Sequence, residues 1–234
     1  LALDLAGRYL AKYSQTSVEA YQRQLEAAWN APQMAPLREK LGHLIDRDLK
    51  IATVFALSWQ GIRDDAARDL FLIAGHCAPN QPIPQEILEE ASDLEPDPCA
   101  EYLDALSDLG LLHLEDTGSI MHPLLSEYAR ALPRTKSPLP ALARLAREAN
   151  KQMDRTCIVS HFMPLLPHVY AATEEGDEEY LEAIGTLWNS LGYYLDRVGN
   201  RAAAQAAFGR ALAIWQEAYG PISPQVATAH SNLG

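Results

Sequence analysis

Apolar residues recur at three- and four-residue steps along most of the chain, the period of helices with one buried face. Leu1, Leu5, Tyr9 and Leu10 share such a face. Thr16 and Glu19 have capping-box spacing and open a second helix carrying Val18, Tyr21, Leu25 and Trp29. Asn30, Pro32 and Pro36 predict a turn, and the next periodic stretch, about 46 to 60, stops at Gly61. Asp64 suits the N-cap of a helix whose inward face is Leu70, Phe71, Ile73, Ala74 and Cys77. Proline fits the first helical turn, so Pro84 restarts the chain as helix. Asp97-Pro98 predicts the same device for a helix carrying Tyr102, Leu103, Leu106 and Leu109 and ending at Gly110.

The pattern then changes. Residues 111–122, LLHLEDTGSIMH, read as strand, tight turn at Asp116-Thr117-Gly118-Ser119, and strand, with Pro123 starting a helix that turns Leu124, Leu125, Tyr128 and Ala129 inward. Three helices followed by a helix-capped hairpin is winged-helix order. The expected organisation is a truncated helical domain at 1–45, a winged-helix-like domain at 46–134, a helical linker or cap at 135–176 and repeats at 177–234. The fold class expected is mainly α: a small helical bundle, a winged-helix domain with one short β-hairpin, then an α-solenoid. The stretch LPRTKSPLP reads as a linker, Pro164 and Pro167 interrupt the next helix, and Glu174-Glu175-Gly176-Asp177 marks a turn.

The strongest signal is self-similarity. Asn189-Ser190-Leu191-Gly192 recurs as Ser231-Asn232-Leu233-Gly234, 42 residues on. Trp188, Leu191, Gly192, Ala204 and Phe208 match the tetratricopeptide (TPR) pattern in phase, with Leu195 where Tyr is common and Ala211 at a small position. Gly192, Ala204 and Ala211 let two helices cross closely, and Trp188, Leu195 and Phe208 fill the remaining space. The length resembles the 42-residue TPRs of the kinesin light chain type. By that resemblance the first helix of each repeat lines a peptide-binding groove, which puts Thr186, Asn189, Tyr193, Asp196, Arg197, Thr228 and Ser231 outward. The alternative is that these aromatic residues are ordinary bundle core and the polar ones solvated surface.

Charge narrows the partners. Thirty-one acids against 19 bases give −12, which disfavours nucleic acid and anionic membrane as main partners. Cys77, Cys99 and Cys157 lack metal-ligand spacing and read as thiols in a reducing cytosol. No P-loop, GxGxxG, GxSxG or HExxH occurs, and His161 and His168 are separated by two prolines that spoil helical ligand spacing, so neither catalysis nor a metal site is expected.

One further motif remains: Met121-His122-Pro123 after the hairpin. It resembles the end of the winged-helix domain in NB-ARC (STAND-class) signalling ATPases, where Met-His-Asp precedes a helix. LALDLAGRYL resembles the helix after their adenine-contacting turn. KIATVFALSWQGI, then a helix and the hairpin, resembles their next domain, and TPR arrays are a frequent C-terminal arm. The resemblance implies that the chain is a cytoplasmic, non-catalytic fragment of such a protein, cut at both ends, whose TPR arm binds a protein or peptide. The parent would use ADP or ATP and oligomerise when active; the fragment itself would hold no cofactor. By the same resemblance His122 would sense the ADP phosphate in the parent. Pro123 departs from the family's Asp, and the pair also reads simply as a strand-to-helix junction with proline starting the helix. The competing function is a winged-helix DNA-binding regulator, which the acids Asp97, Glu101, Asp104 and Asp108 on the would-be reading helix oppose.

Overall fold

The computed structural model describes residues 1–41, 46–175 and 177–233. The expected domain boundary at 45/46, the turn at Gly176 and the repeat's last residue, Gly234, lie outside or against the edge of these. Among the described residues the chain is mainly helical, with one two-stranded sheet, and it divides into two compact units, Leu1–Lys136 and Ser137–Gly234.

The first unit comprises α1 (Ala2–Lys12), α2 (Val18–Asn30), α3 (Ala35–Leu41), α4 (Asp46–Gly61), α5 (Asp65–Gly75), α6 (Gln85–Ser92), α7 (Pro96–Asp108), β1 (His113–Glu115), β2 (Gly118–Ile120) and α8 (Pro123–Ala131). Helices α1 and α2 pack on α4, and α5 packs on α6, α7 and α8. Asp64 caps α5, its carboxylate accepting from the Ala66 amide at 2.9 Å. The inward face of α5 is buried as its period predicts, Leu70, Phe71, Ile73 and Ala74 lying in the core, while Cys77, expected on the same helix, is buried two residues past its end. Phe55 joins it to its neighbours, with ring centroids 5.6 Å from Phe71 and 5.0 Å from Tyr128. The α5–α8 crossing depends on Gly75, because a Cβ there would stand 2.2 Å from that of Ala129. The last carbonyls of α5, which have no partner within the helix, are met from α8. Ser126 Oγ and Arg130 Nε donate to the Gly75 carbonyl at 2.6 and 2.8 Å, and Arg130 also reaches that of Cys77 at 3.2 Å.

Three local expectations shift. The cap of α2 is Ser17, whose Oγ accepts from the Ala20 amide at 3.2 Å. Thr16 instead closes the end of α1, its amide donating to the Tyr13 carbonyl. Helix α7 starts two residues early, with Glu95 before it and Pro96 in its first turn. The first-turn amides have no intrahelical acceptor, so Pro98 fits inside that turn as well. The hairpin turn is the two residues Asp116 and Thr117, since Glu115 already pairs with Gly118. A third segment joins the hairpin unannounced by the sequence: Ile83 exchanges two backbone hydrogen bonds with Ser119, at 2.8 and 3.1 Å. Gly118, at φ +138°, makes room, since a Cβ there would lie 2.2 Å from the Ile83 carbonyl oxygen.

The second unit comprises α9 (Leu139–Thr156), α10 (Leu166–Glu175), α11 (Leu181–Arg197), α12 (Arg201–Tyr219) and α13 (Pro224–Leu233). Helix α11 packs on α9, α10 and α12, and α13 packs on α12. No described helix is long and apolar enough to cross a membrane.

Candidate protein-interaction surface

Helices α11 and α12 meet through glycine on one and aromatic rings on the other. A Cβ on Gly192 would stand 2.7 Å from two ring carbons of Phe208, and one on Gly185 would stand 2.4 Å from the Trp215 indole nitrogen. Moving seven residues back along α11 corresponds to seven forward along α12, so the two helices run antiparallel. Asn200 caps α12, its Oδ1 accepting from the Ala203 amide at 3.3 Å. Ala211 and Trp215 continue into a core with Val226 and Ala229 of α13, against which Trp188 packs.

Helices α9, α11 and α13 begin at residues 139, 181 and 224, steps of 42 and 43, and side chains tie each to the next. The Asn150 amide donates to the Ser190 carbonyl at 3.1 Å. Tyr193 and Arg197 of α11 both donate to the Asp154 carboxylate of α9, and the guanidinium also bonds the Tyr193 hydroxyl at 2.8 Å. Burial, then the bond to Asp154, raises the Tyr193 pKa, keeping the phenol protonated as a donor. Between α13 and α11, the Asn232 amide donates to Asn189 Oδ1 at 2.8 Å.

The expected groove residues therefore differ in accessibility. Asp196, Arg197, Thr228 and Ser231 are exposed, and Asn189 and Tyr193 are half-buried. Thr186 corrects the expectation: it is 8% exposed. Helices α9, α10 and α12 all pack on α11, and a side chain as short as threonine's stays within such packing, whereas Tyr193 and Arg197 extend to Asp154 of α9. Tyr193 and Arg197 are brought together through a shared hydrogen bond. Thr228 and Ser231 instead turn their hydroxyls back onto their own helix, to the Pro224 and Ala227 carbonyls.

Sequence reasoning missed α9 as part of this surface. A signal existed: Met153-Asp154-Arg155 precedes Leu195-Asp196-Arg197 by 42 residues, the same step as the glycine-containing echo. No protein-family model, curated protein or solved structure matches the chain.

His122 stands where β2 hands over to α8. It is the N-cap, with Nδ1 accepting from the Leu124 amide at 3.1 Å and Pro123 in the first turn. Burial lowers its pKa, favouring the neutral ring that the cap requires. With the Nδ1 lone pair used, the neutral ring carries its proton on Nε2, which is the atom left to donate to a ligand oxygen. A hollow of about 460 Å³ opens between α1, α4, α5 and α7, its apolar wall formed by Ile62, Ala67 and Leu106 and its rim by Lys12 and Arg63. Its acidic residue Asp64 is engaged twice, capping α5 and accepting from the Tyr102 hydroxyl at 3.1 Å.

Proposed function

We propose that this chain is a regulatory and protein-binding region of a STAND-class signalling ATPase, with its second unit forming the start of a TPR-type solenoid that captures a protein or peptide. The observation that carries the reading is the spacing of α9, α11 and α13 at 42 and 43 residues, combined with glycine-to-aromatic crossing between α11 and α12. Each repeat in such an array leaves an apolar face that its neighbour covers, and the core that Ala211 and Trp215 share with Val226 and Ala229 supports the reading. For the first unit, the order α5, Ile83 bridge, α6, α7, hairpin supports a winged-helix reading. Asp97, Glu101, Asp104 and Asp108 are all exposed on α7, so phosphate would be repelled from it and a regulatory role is favoured over DNA binding. His122 as a nucleotide sensor belongs to the parent protein, where the free Nε2–H would donate to a phosphate oxygen.

The test is selection from an array of random ten-residue peptides. We expect peptides whose retention falls when Asn189 or Tyr193 is replaced by alanine. A chain that retains no peptide, or retains them regardless of α11, would refute the binding-arm reading.

A further inference from the structure

Gly61, the last residue of α4, lacks both reasons that explain other glycines of the first unit. Its backbone is not left-handed, unlike that of Gly110 and Gly118. Nor does it permit a close crossing as Gly75 does, since a Cβ there would meet Leu109 at 3.4 Å and the Tyr13 hydroxyl at 3.6 Å, ordinary contact distances. Alanine favours a helix more than glycine does, so what Gly61 supplies is space. That space lies where two hollows join. The first, of about 460 Å³, is the one walled by Ile62, Ala67 and Leu106. The second, of about 400 Å³, opens between α1, α2 and α4 against Tyr9, Gln24 and Gln60. Tyr13, Gly61 and Arg63 line both. Hollows of roughly 300–1,000 Å³ with apolar walls and a few polar groups are the size of small-molecule sites.

The charges around the junction select the ligand. Lys12 and Asp108 face each other at 3.8 Å. Asp64 is held at the head of α5 and by the Tyr102 hydroxyl. Arg63 is exposed, and among the described residues no hydrogen bond or ion pair engages it. The second hollow has no acid in its lining and sets the hydroxyls of Tyr13 and Thr16 alongside Arg63. A guanidinium pairs with a carboxylate through two parallel hydrogen bonds, and hydroxyls can donate to the same oxygens. We infer that the joined hollows bind a small carboxylate with an apolar body, the body against Ile62, Ala67 and Leu106 and the carboxylate at Arg63. A cation would be repelled by Arg63 and Lys12, and a neutral molecule would forgo the pairing. Such a ligand touches α1, α4 and α7 at once and stabilises their packing by mass action. The site lies wholly in the first unit and requires neither the repeats nor a nucleotide, so it stands independently of the binding-arm reading.

Isothermal titration calorimetry of the full chain with 1-naphthoate tests the site, with 1-naphthamide as the uncharged counterpart. Naphthoate should bind roughly tenfold more tightly than the amide and raise the melting temperature of the chain. Arg63→Ser should weaken naphthoate by roughly the same factor and leave the amide unchanged. Gly61→Leu, whose side chain fills the junction, should abolish binding of both. Circular dichroism checks that the variants fold, and if Gly61→Leu does not, Arg63→Ser decides, since its side chain is exposed and engaged by no other. The absence of saturable naphthoate binding would overturn the inference. So would equal affinity for the two probes, or naphthoate binding unchanged by Arg63→Ser or by a folded Gly61→Leu.

Discussion

A methyl group added to Gly192 tests the close crossing of α11 and α12. Replacing a helix-interior glycine by alanine stabilises a helix by about 1 kcal/mol when nothing stands in the way. Gly209 in α12 is such a place, with no atom within 4 Å of a Cβ built there. At Gly192 the same propensity gain meets three Phe208 ring atoms at 2.7, 2.7 and 3.1 Å, and at Gly185 three atoms of Trp215 at 2.4, 2.6 and 3.1 Å. Neither ring is free to turn aside, because Phe208 is 5% and Trp215 4% exposed. Overpacking of this kind costs about 1–3 kcal/mol. The propensity term is common to all three variants, so it cancels on comparison. Gly192→Ala and Gly185→Ala should fall below Gly209→Ala by about 1–3 kcal/mol, the whole of the steric cost. For a domain of this unit's size that is at least about 4 °C in melting temperature. Urea unfolding followed by tryptophan fluorescence reads the difference, since Trp188 and Trp215 both belong to this core. If Gly192→Ala and Gly185→Ala gain as much stability as Gly209→Ala, the helices do not approach closely and the packing argument fails.

His122 titrates below the ordinary histidine value because burial disfavours its charged form. The neutral ring is the capping form, so its contribution is whole above the unfolded value of about 6.5. That contribution is lost as pH falls through the lower folded value. Proton NMR of the ring should show the low pKa, and His122→Ala should cost about 1 kcal/mol at pH 8 and less at acid pH. Arg130→Ala removes charge-assisted bonds to the Gly75 and Cys77 carbonyls and should cost about 1.5–3 kcal/mol, while Arg210→Ala, on the exposed side of α12, should be near neutral by the same unfolding assay. Cys157 is exposed and Cys77 and Cys99 are buried, with burial, then Glu89, pushing the Cys99 thiol up to about 11. A thiol reagent at pH 8 should therefore modify Cys157 quickly and the other two only after denaturation. Rapid labelling of Cys99 in the native chain would contradict the packing of α7.

The elements that sequence reasoning located are those whose signal is local. The Asp64 cap, Pro123 at the head of α8 and the buried face of α5 each depend on residues within one or two helical turns. Where several neighbouring residues met the same local requirement, the choice fell to the surroundings. Thr16 and Ser17 both have capping hydroxyls, and only the turn closing α1 decides that Ser17 acts. Pro96 and Pro98 both suit a first turn, and α7 holds both. Thr186 has the right phase for an outward side chain and is buried all the same, because the helices that pack around α11 are not written in its own period.

By itself, then, the amino-acid order determined a largely helical chain, the site of its hairpin and a 42-residue recurrence, because hydrophobic period, prolines, glycines and caps act over distances of a few residues. The tertiary structure decided that Ile83 pairs with Ser119, that Ser126 and Arg130 finish α5, and that Asp154 gathers Tyr193 and Arg197 from 39 and 43 residues away. Those contacts join groups that are strangers in sequence, and only the packing of helix on helix brings their donors and acceptors within reach.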